Sequence, residues 1–130
     1  MKLMVGYDGS RVANDAMKVA RAHAKAFQAE VAVVTSLQKE IGDDVDKIRE
    51  AEKGLAYAKE YFEAASIPCE THLLVRGLSS GEDLVIFAQE NSIDEIIVGV
   101  RRRSKVGKLL LGSAAQYVIL NASCPVLTVK

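Results

Sequence analysis

The chain has 130 residues, of which 49% are hydrophobic and 26% charged. That length and composition suit a single globular domain over residues 1–130, and they exclude a disordered tail, a collagen-like repeat or a disulfide scaffold. The 17 basic and 17 acidic groups cancel, which argues against a surface built to wrap nucleic acid. Residues 98–130, however, hold six basic groups and no acidic one, which raises the question of a local anion site there.

Lys2 to Tyr7 is short and apolar and predicts a first strand. Asp8, Gly9 and Ser10 form a turn, with Ser10 placed to cap a helix. In that helix Val12, Ala16, Ala20, Ala24 and Phe27 recur every three to four residues. Val31 to Ser36 is nearly continuous and β-branched, and predicts the second strand. Asp43, Asp44 and Asp46 open the next helix, where carboxylates suit the positive end of the dipole. Ile48, Ala51, Leu55, Ala58, Phe62 and Ala65 form its apolar stripe, which stops at Ser66, Ile67 and Pro68. Cys69 to Arg76 alternates and predicts a third strand at an edge. Ser79 with Glu82 three residues on reads as a capping box ahead of Leu84, Val85, Phe87 and Ala88. Glu95 to Val98 is the fourth strand, a helix is expected from about Ser113 to Leu120, and Val126 to Val129 is the fifth strand.

Apolar strands alternating with helices imply an α/β fold with an open parallel sheet covered by helices on both faces. Ligands of such sheets bind beyond the carboxyl ends of the strands, where strand order reverses. The residues just after each strand are therefore the ones to examine: Asp8, Ser36, Arg76 and the segment from Gly99 onward. The N-terminus meets Asp8 too early for a signal peptide, and the uncharged run from Leu109 to Val129 contains a turn at Asn121 to Pro125, so no membrane span is expected. Cys69 and Cys124 read as inert thiols in a reducing cytoplasm.

The segment from Gly99 to Ser113 holds three glycines, five cations and two hydroxyls, and ends where a helix begins. Gly112 and Ser113 would present free N–H groups and a hydroxyl at the positive end of that helix, a phosphate cradle on physical grounds. A solvated basic loop before an ordinary helix start is the competing reading. No P-loop and no dinucleotide fingerprint is present.

The chain resembles the universal stress proteins along its whole length. The likeness is strongest at Val5 to Ser10, at Ile96 to Gly99, at Gly112 and Ser113, and at Cys124 to Leu127. The ATP-binding branch of that family carries Gly, two residues, Gly, nine residues, Gly, then Ser or Thr. Gly99, Gly112 and Ser113 keep this spacing, while Arg102 stands at the second glycine. An arginine there either blocks close phosphate approach or supplies a guanidinium to the phosphates. The resemblance implies a Rossmann-like sheet of order 3-2-1-4-5, as in adenine nucleotide alpha hydrolases. It also implies ATP, ADP or AMP lying across strands 1 and 4, with or without Mg²⁺. Asp8 would then contact ribose or adenine, the Ser36 backbone would border the adenine, Gly99 would lie under the ribose, and Gly112, Ser113 and Arg102 would meet the phosphates. The alternative for Asp8 is an Asx turn between strand and helix. With that strand order Cys69 and Cys124 fall near opposite edges of the sheet and form no internal bridge.

The function expected is a cytoplasmic stress-response module, a nucleotide-binding sensor that works as a partner-binding dimer. The alternative is a nucleotide-free dimer of the same family acting through protein contacts. Only Asp8 is placed for metal-assisted chemistry, so ATP hydrolysis is expected to be slow or absent. A phosphate-accepting receiver needs an acidic residue after strand 3, where this chain has Arg76 and Gly77. Arg101 to Arg103 lack interleaved aromatics, so nucleic acid is not an expected partner. Val126 to Val129 would be an apolar edge blunted only by Lys130, and a homodimer is expected to form through it.

Overall fold

The computed structural model describes residues 1–38, 44–101 and 111–130. Its elements in chain order are β1 (Lys2–Gly6), α1 (Arg11–Phe27), β2 (Glu30–Ser36), α2 (Val45–Glu63), β3 (Cys69–Leu74), α3 (Ser80–Glu90), β4 (Glu95–Gly99), α4 (Ser113–Asn121) and β5 (Val126–Val129). The five strands lie in the order β3-β2-β1-β4-β5, and every pairing is parallel. This is the expected topology.

Alternation along the strands divides the core into two layers. Leu3 and Val5 of β1, Val31 and Val33 of β2 and Ile97 of β4 pack against α1 and α2. Met4, Ala32, Val34, Ile96 and Val98 face the other way, onto α3 and α4. The central strand is thus sealed on both faces, with Leu3, Met4 and Val5 wholly buried. At roughly 1.5–3 kcal/mol for each large side chain buried, these layers dominate the stability of the fold.

Helix capping follows the local chemistry. Ser10 Oγ accepts the Ala13 amide at 3.2 Å. Asp44 Oδ1 accepts the Asp46 amide at 2.9 Å. Ser79 and Glu82 form the expected box, in which the Ser79 hydroxyl donates to the Glu82 carboxylate at 2.8 Å and accepts the Glu82 amide at 3.4 Å. Asp43 lies outside the described residues.

Three details of the periodic stripes differ from expectation. In α1 the buried face is Ala13, Ala16, Met17, Ala20 and Ala24, while Phe27 is exposed and meets His23 edge-on. In α2 only Leu55, Ala58 and Phe62 are buried. The first turns of that helix overhang the carboxyl end of the sheet, where Lys47, Glu50, Ala51 and Gly54 wall a cavity instead of filling the core. The third strand ends at Leu74 rather than Arg76, because its partner β2 ends at Ser36, opposite Leu74; the Arg76 guanidinium bonds Asp83 and Glu90 of α3. Cys69 and Cys124 are both free and sit at opposite edges of the sheet, as expected. No described helix is long and apolar enough to cross a membrane.

Candidate ligand cleft beyond the carboxyl ends of the strands

The register aligns the ends of the central strands, with Gly6 of β1 opposite both Val34 of β2 and Val98 of β4. From there the chain leaves β1 toward α1 on one face, while α4, the next described helix after β4, lies on the other, and a crevice opens between them. Two adjoining cavities of about 190 and 320 Å³ occupy it. Tyr7, Asp8 and Ser36 line both. The first is closed by Gly99, Arg101 and the opening turn of α4 at Ala114 and Ala115. The second lies under α2. A further cavity of about 470 Å³, lined by Met1, Gln28, Ser66 and Pro68 among others, sits at the opposite end of the strands. It lies away from the strand ends where the chain order reverses, and Lys25 and Glu30 are its charged lining side chains.

Asp8 makes the Asx turn, its Oδ1 accepting the Ser10 amide at 2.9 Å, with Gly9 at φ 77° completing the bend. Its other oxygen, Oδ2, accepts from Arg101 Nη2 at 3.4 Å. Both side chains of this pair are about half exposed or more, at 65% and 47%, so the pair itself is worth little, ~0–1 kcal/mol. Either group can therefore exchange its partner for a polar ligand at small cost. Next to it the Tyr7 ring lies against Gly54, and its hydroxyl donates to Asn14 Oδ1 at 2.9 Å. Burial, with the neighbouring Tyr57 and Asp8 charges, holds the Tyr7 phenol above its ordinary pKa.

Ser36 is held from beneath. Its hydroxyl donates to Asp83 Oδ2 at 2.8 Å, and its carbonyl accepts the Ser80 hydroxyl at 3.2 Å. Asp83 is fully buried in the first turn of α3, with Arg76 Nε donating to its Oδ1 at 2.6 Å. Arg76 also reaches Glu90 at 3.0 Å. Burial opposes the guanidinium charge, but the hydrogen bonds to Asp83 and Glu90 outweigh it and raise the Arg76 pKa. Ser36 is thus more than the end of a strand.

The reason for a glycine at 99 is packing. A Cβ there would lie 2.6 Å from the Val12 carbonyl carbon and oxygen, so β4 and the first turn of α1 touch backbone to side-chain position. Among the described residues nothing lies within 4 Å of a Cβ placed on Gly112, and it caps α4 without a side-chain acceptor, unlike Ser10, Asp44 and Ser79 at the other helices. Gly112 and Ser113 begin the helix whose opening turn lines the crevice at Ala114 and Ala115, but they do not line it themselves. α4 is held in place by α3, since a Cβ on Gly81 would come within 2.7 Å of Tyr117 Cβ.

The structure therefore brings Asp8, Ser36 and Gly99 to one crevice and sets the Gly112–Ser113 helix start beside it. Arg102 lies outside the described residues. Tyr7, Ser80 and Asp83 also adjoin the site and were not singled out from sequence, while Arg101, read there only as part of the basic segment, pairs with Asp8 at its mouth. Asp83 does leave one trace, a carboxylate four residues before Phe87 on an otherwise apolar helix face. Among the described residues no group of three or more His, Cys, Asp or Glu side chains could hold a metal ion.

The fold has counterparts. The universal stress protein family profile matches residues 1–130. A universal stress protein of Thermus aquaticus is 33% identical, over 98% of this chain and 97% of the relative. A solved universal stress protein of Archaeoglobus fulgidus superposes with a TM-score of 0.91 at 36% identity, covering 100% of this chain and 98% of that one. A second solved structure from that organism, described in complex with dAMP, gives a TM-score of 0.85 at 32% identity with the same coverage. Profile, relatives and sheet order agree along the whole chain, and the protein belongs to the universal stress protein family.

Proposed function

We propose that this protein binds an adenine nucleotide, AMP or its di- and triphosphate, in the crevice beyond β1 and β4, and acts as a nucleotide-dependent sensor that engages protein partners. The observation that carries this reading is the convergence of Asp8, Ser36 and Gly99 on one cleft beside the start of α4. The relative described with dAMP shares the fold and a third of the sequence, which supports an adenylate as the ligand class. The residues fit such a ligand. The wall of Tyr7, Thr35 and Ser36 is mixed apolar and polar, suited to a purine. Asp8 stands where a sugar hydroxyl can donate to it, and the first turn of α4 offers amides to a phosphate. Arg101 supplies a cation at the same mouth.

Isothermal titration of the purified protein with AMP, ADP and ATP tests the reading. Saturable binding is expected, weakened by Ser113→Ala and by Gly112→Val. Absence of saturable binding at millimolar nucleotide would overturn it.

The same reading includes a homodimer. β5 pairs with β4 along one side, and among the described residues no strand covers its other side. An exposed parallel edge of this kind pairs readily with a second chain. Sedimentation equilibrium should return twice the chain mass at micromolar concentration, and a monomer there would remove the dimer from the proposal.

A further inference from the structure

At the end of the sheet opposite the crevice, α1 and α2 both finish beside the cavity of about 470 Å³. Ala24, Ala29, Ile67 and Pro68 give it apolar wall, and Lys25, on the last turn of α1, lines it too. The main-chain N–H groups from Gln28 to Glu30 and from Ala65 to Ile67 are all bonded within the protein. What the main chain still offers is the carbonyls of two helix ends, which accept. Those ends carry partial negative charge, so the interior is poor for an anion. It suits an apolar body with a donor of its own, as Trp and Tyr have.

The outer face of α1 leads to this cavity. Arg11, Lys18 and Lys25 follow at intervals of seven residues, with Arg21 between the last two, so all four lie on one side of the helix. Arg11, Lys18 and Lys25 are exposed, while Ala13, Met17, Ala20 and Ala24 are buried on the other side. Asp15 is the one carboxylate of α1 and pairs with Lys18 at 3.6 Å. The Arg21 guanidinium is held over the Tyr61 ring of α2, 5.4 Å from its centroid, and is thereby fixed in place.

We propose that this end of the molecule docks an acidic segment of a partner protein, with carboxylates along Lys18, Arg21 and Lys25 and one Trp or Tyr inserted in the cavity. This deepens the partner-engaging part of the reading above and rests on that part alone. Lys18 and Lys25 are separated by about 10 Å along the helix, the reach of roughly three extended residues. Exposed ion pairs contribute little singly. The inserted ring therefore supplies most of the affinity, and the stripe sets the sign of the partner and its direction. A nucleic acid could place phosphates along the stripe, but it would bring nothing but more negative charge to a cavity set between two helix C-termini.

Random dodecapeptides displayed on phage and panned against the purified full chain provide the probes. Enriched sequences should carry net negative charge and one Trp or Tyr. A fluorescein-labelled synthetic copy of the most enriched one is then titrated by fluorescence polarisation. Lys18→Gln combined with Lys25→Gln should weaken its binding about tenfold, and added salt should weaken it on the wild type. Gln28→Trp, which fills the cavity from an exposed position, should weaken it by a similar factor. If that variant does not fold, changing the Trp or Tyr of the peptide to Ala reads the same contact from the other side. No enrichment, enriched peptides that are neutral or basic, or binding indifferent to both the charge and the cavity changes would overturn the proposal. So would a labelled oligouridine RNA that binds the wild type more tightly than the peptide and is released by the same lysine changes. AMP binding by these variants should equal that of the wild type, because the crevice lies at the other end of the strands. The docking surface can therefore fail while nucleotide binding stands, and the reverse.

Discussion

Gly99→Ala separates two explanations of the glycine at the end of β4. If Gly99 exists only so that a ligand can approach the main chain, the substitution weakens binding and leaves the ligand-free protein alone. The structure supplies a packing reason as well. The new Cβ would sit 2.6 Å from the Val12 carbonyl carbon and oxygen and 2.9 Å from Val12 Cβ. Ordinary contact needs roughly another ångström, and the obstacle is main chain, so α1 must move off β4 or the strand must bend. Overpacking of this kind costs ~1–3 kcal/mol. With an unfolding entropy of about 2.1 cal/mol/K per residue, 130 residues give roughly 0.27 kcal/mol/K. A loss of ~2 kcal/mol therefore lowers Tm by about 7 °C. The assay is thermal unfolding followed by circular dichroism in the absence of nucleotide. Gly112→Ala is the control, because its Cβ would meet none of the described residues within 4 Å, and the change at an N-cap costs at most about 1 kcal/mol. If Gly99→Ala melts within a degree of the wild type, the packing argument is wrong and the ligand explanation regains its place.

Asp83→Ala should destabilise the fold by ~2–3 kcal/mol, read as a shifted urea midpoint; it strips a buried acceptor from Ser36 and Arg76, although Arg76 can partly recover solvent. Burial, aided by Glu63, pushes the Cys69 thiol up to about 11. Its alkylation in the native state should accordingly be slow at pH 8 and rise about tenfold per pH unit until that range; rapid labelling at pH 8 would contradict it. The same shift has a sign for stability. The folded thiol keeps its proton while the unfolded one loses it, so the Cys69 contribution is complete below pH 9 and declines between 9 and about 11. Cys69→Ala should flatten that decline. Ser79→Ala should cost about 1 kcal/mol through loss of the capping box, measured by the same urea titration, and an unchanged midpoint would show the box to be idle.

The architecture was legible because each element carries its period over several turns or residues, as Leu55, Ala58 and Phe62 do in α2 and Val31 to Val34 in β2. Parallel strands and alternating helices then left few topologies, and the family resemblance supplied the order. The site was legible in part. Asp8, Ser36 and Gly99 are found together because strand ends at a switch point must converge. The hub beneath Ser36 was not found, since its contacts join residues 47 positions apart, and an aspartate in a first helical turn reads as an ordinary dipole partner. Gly99 was read as a place for ligand approach, where the structure gives an additional and sufficient reason in Val12. Phe27 misled because a helix stripe says which side is apolar and not how far the opposing sheet extends.

The tight crossing of α3 and α4 at Gly81 and Tyr117 has a consequence of scale. One of these helices anchors the wall under Ser36 through Asp83, and the other presents its opening turn to the far side of the crevice. The spacing between those two sides is therefore gauged by a contact that no ligand touches. A larger residue at 81 would reset the calliper, changing how long a molecule fits while every lining side chain keeps its identity.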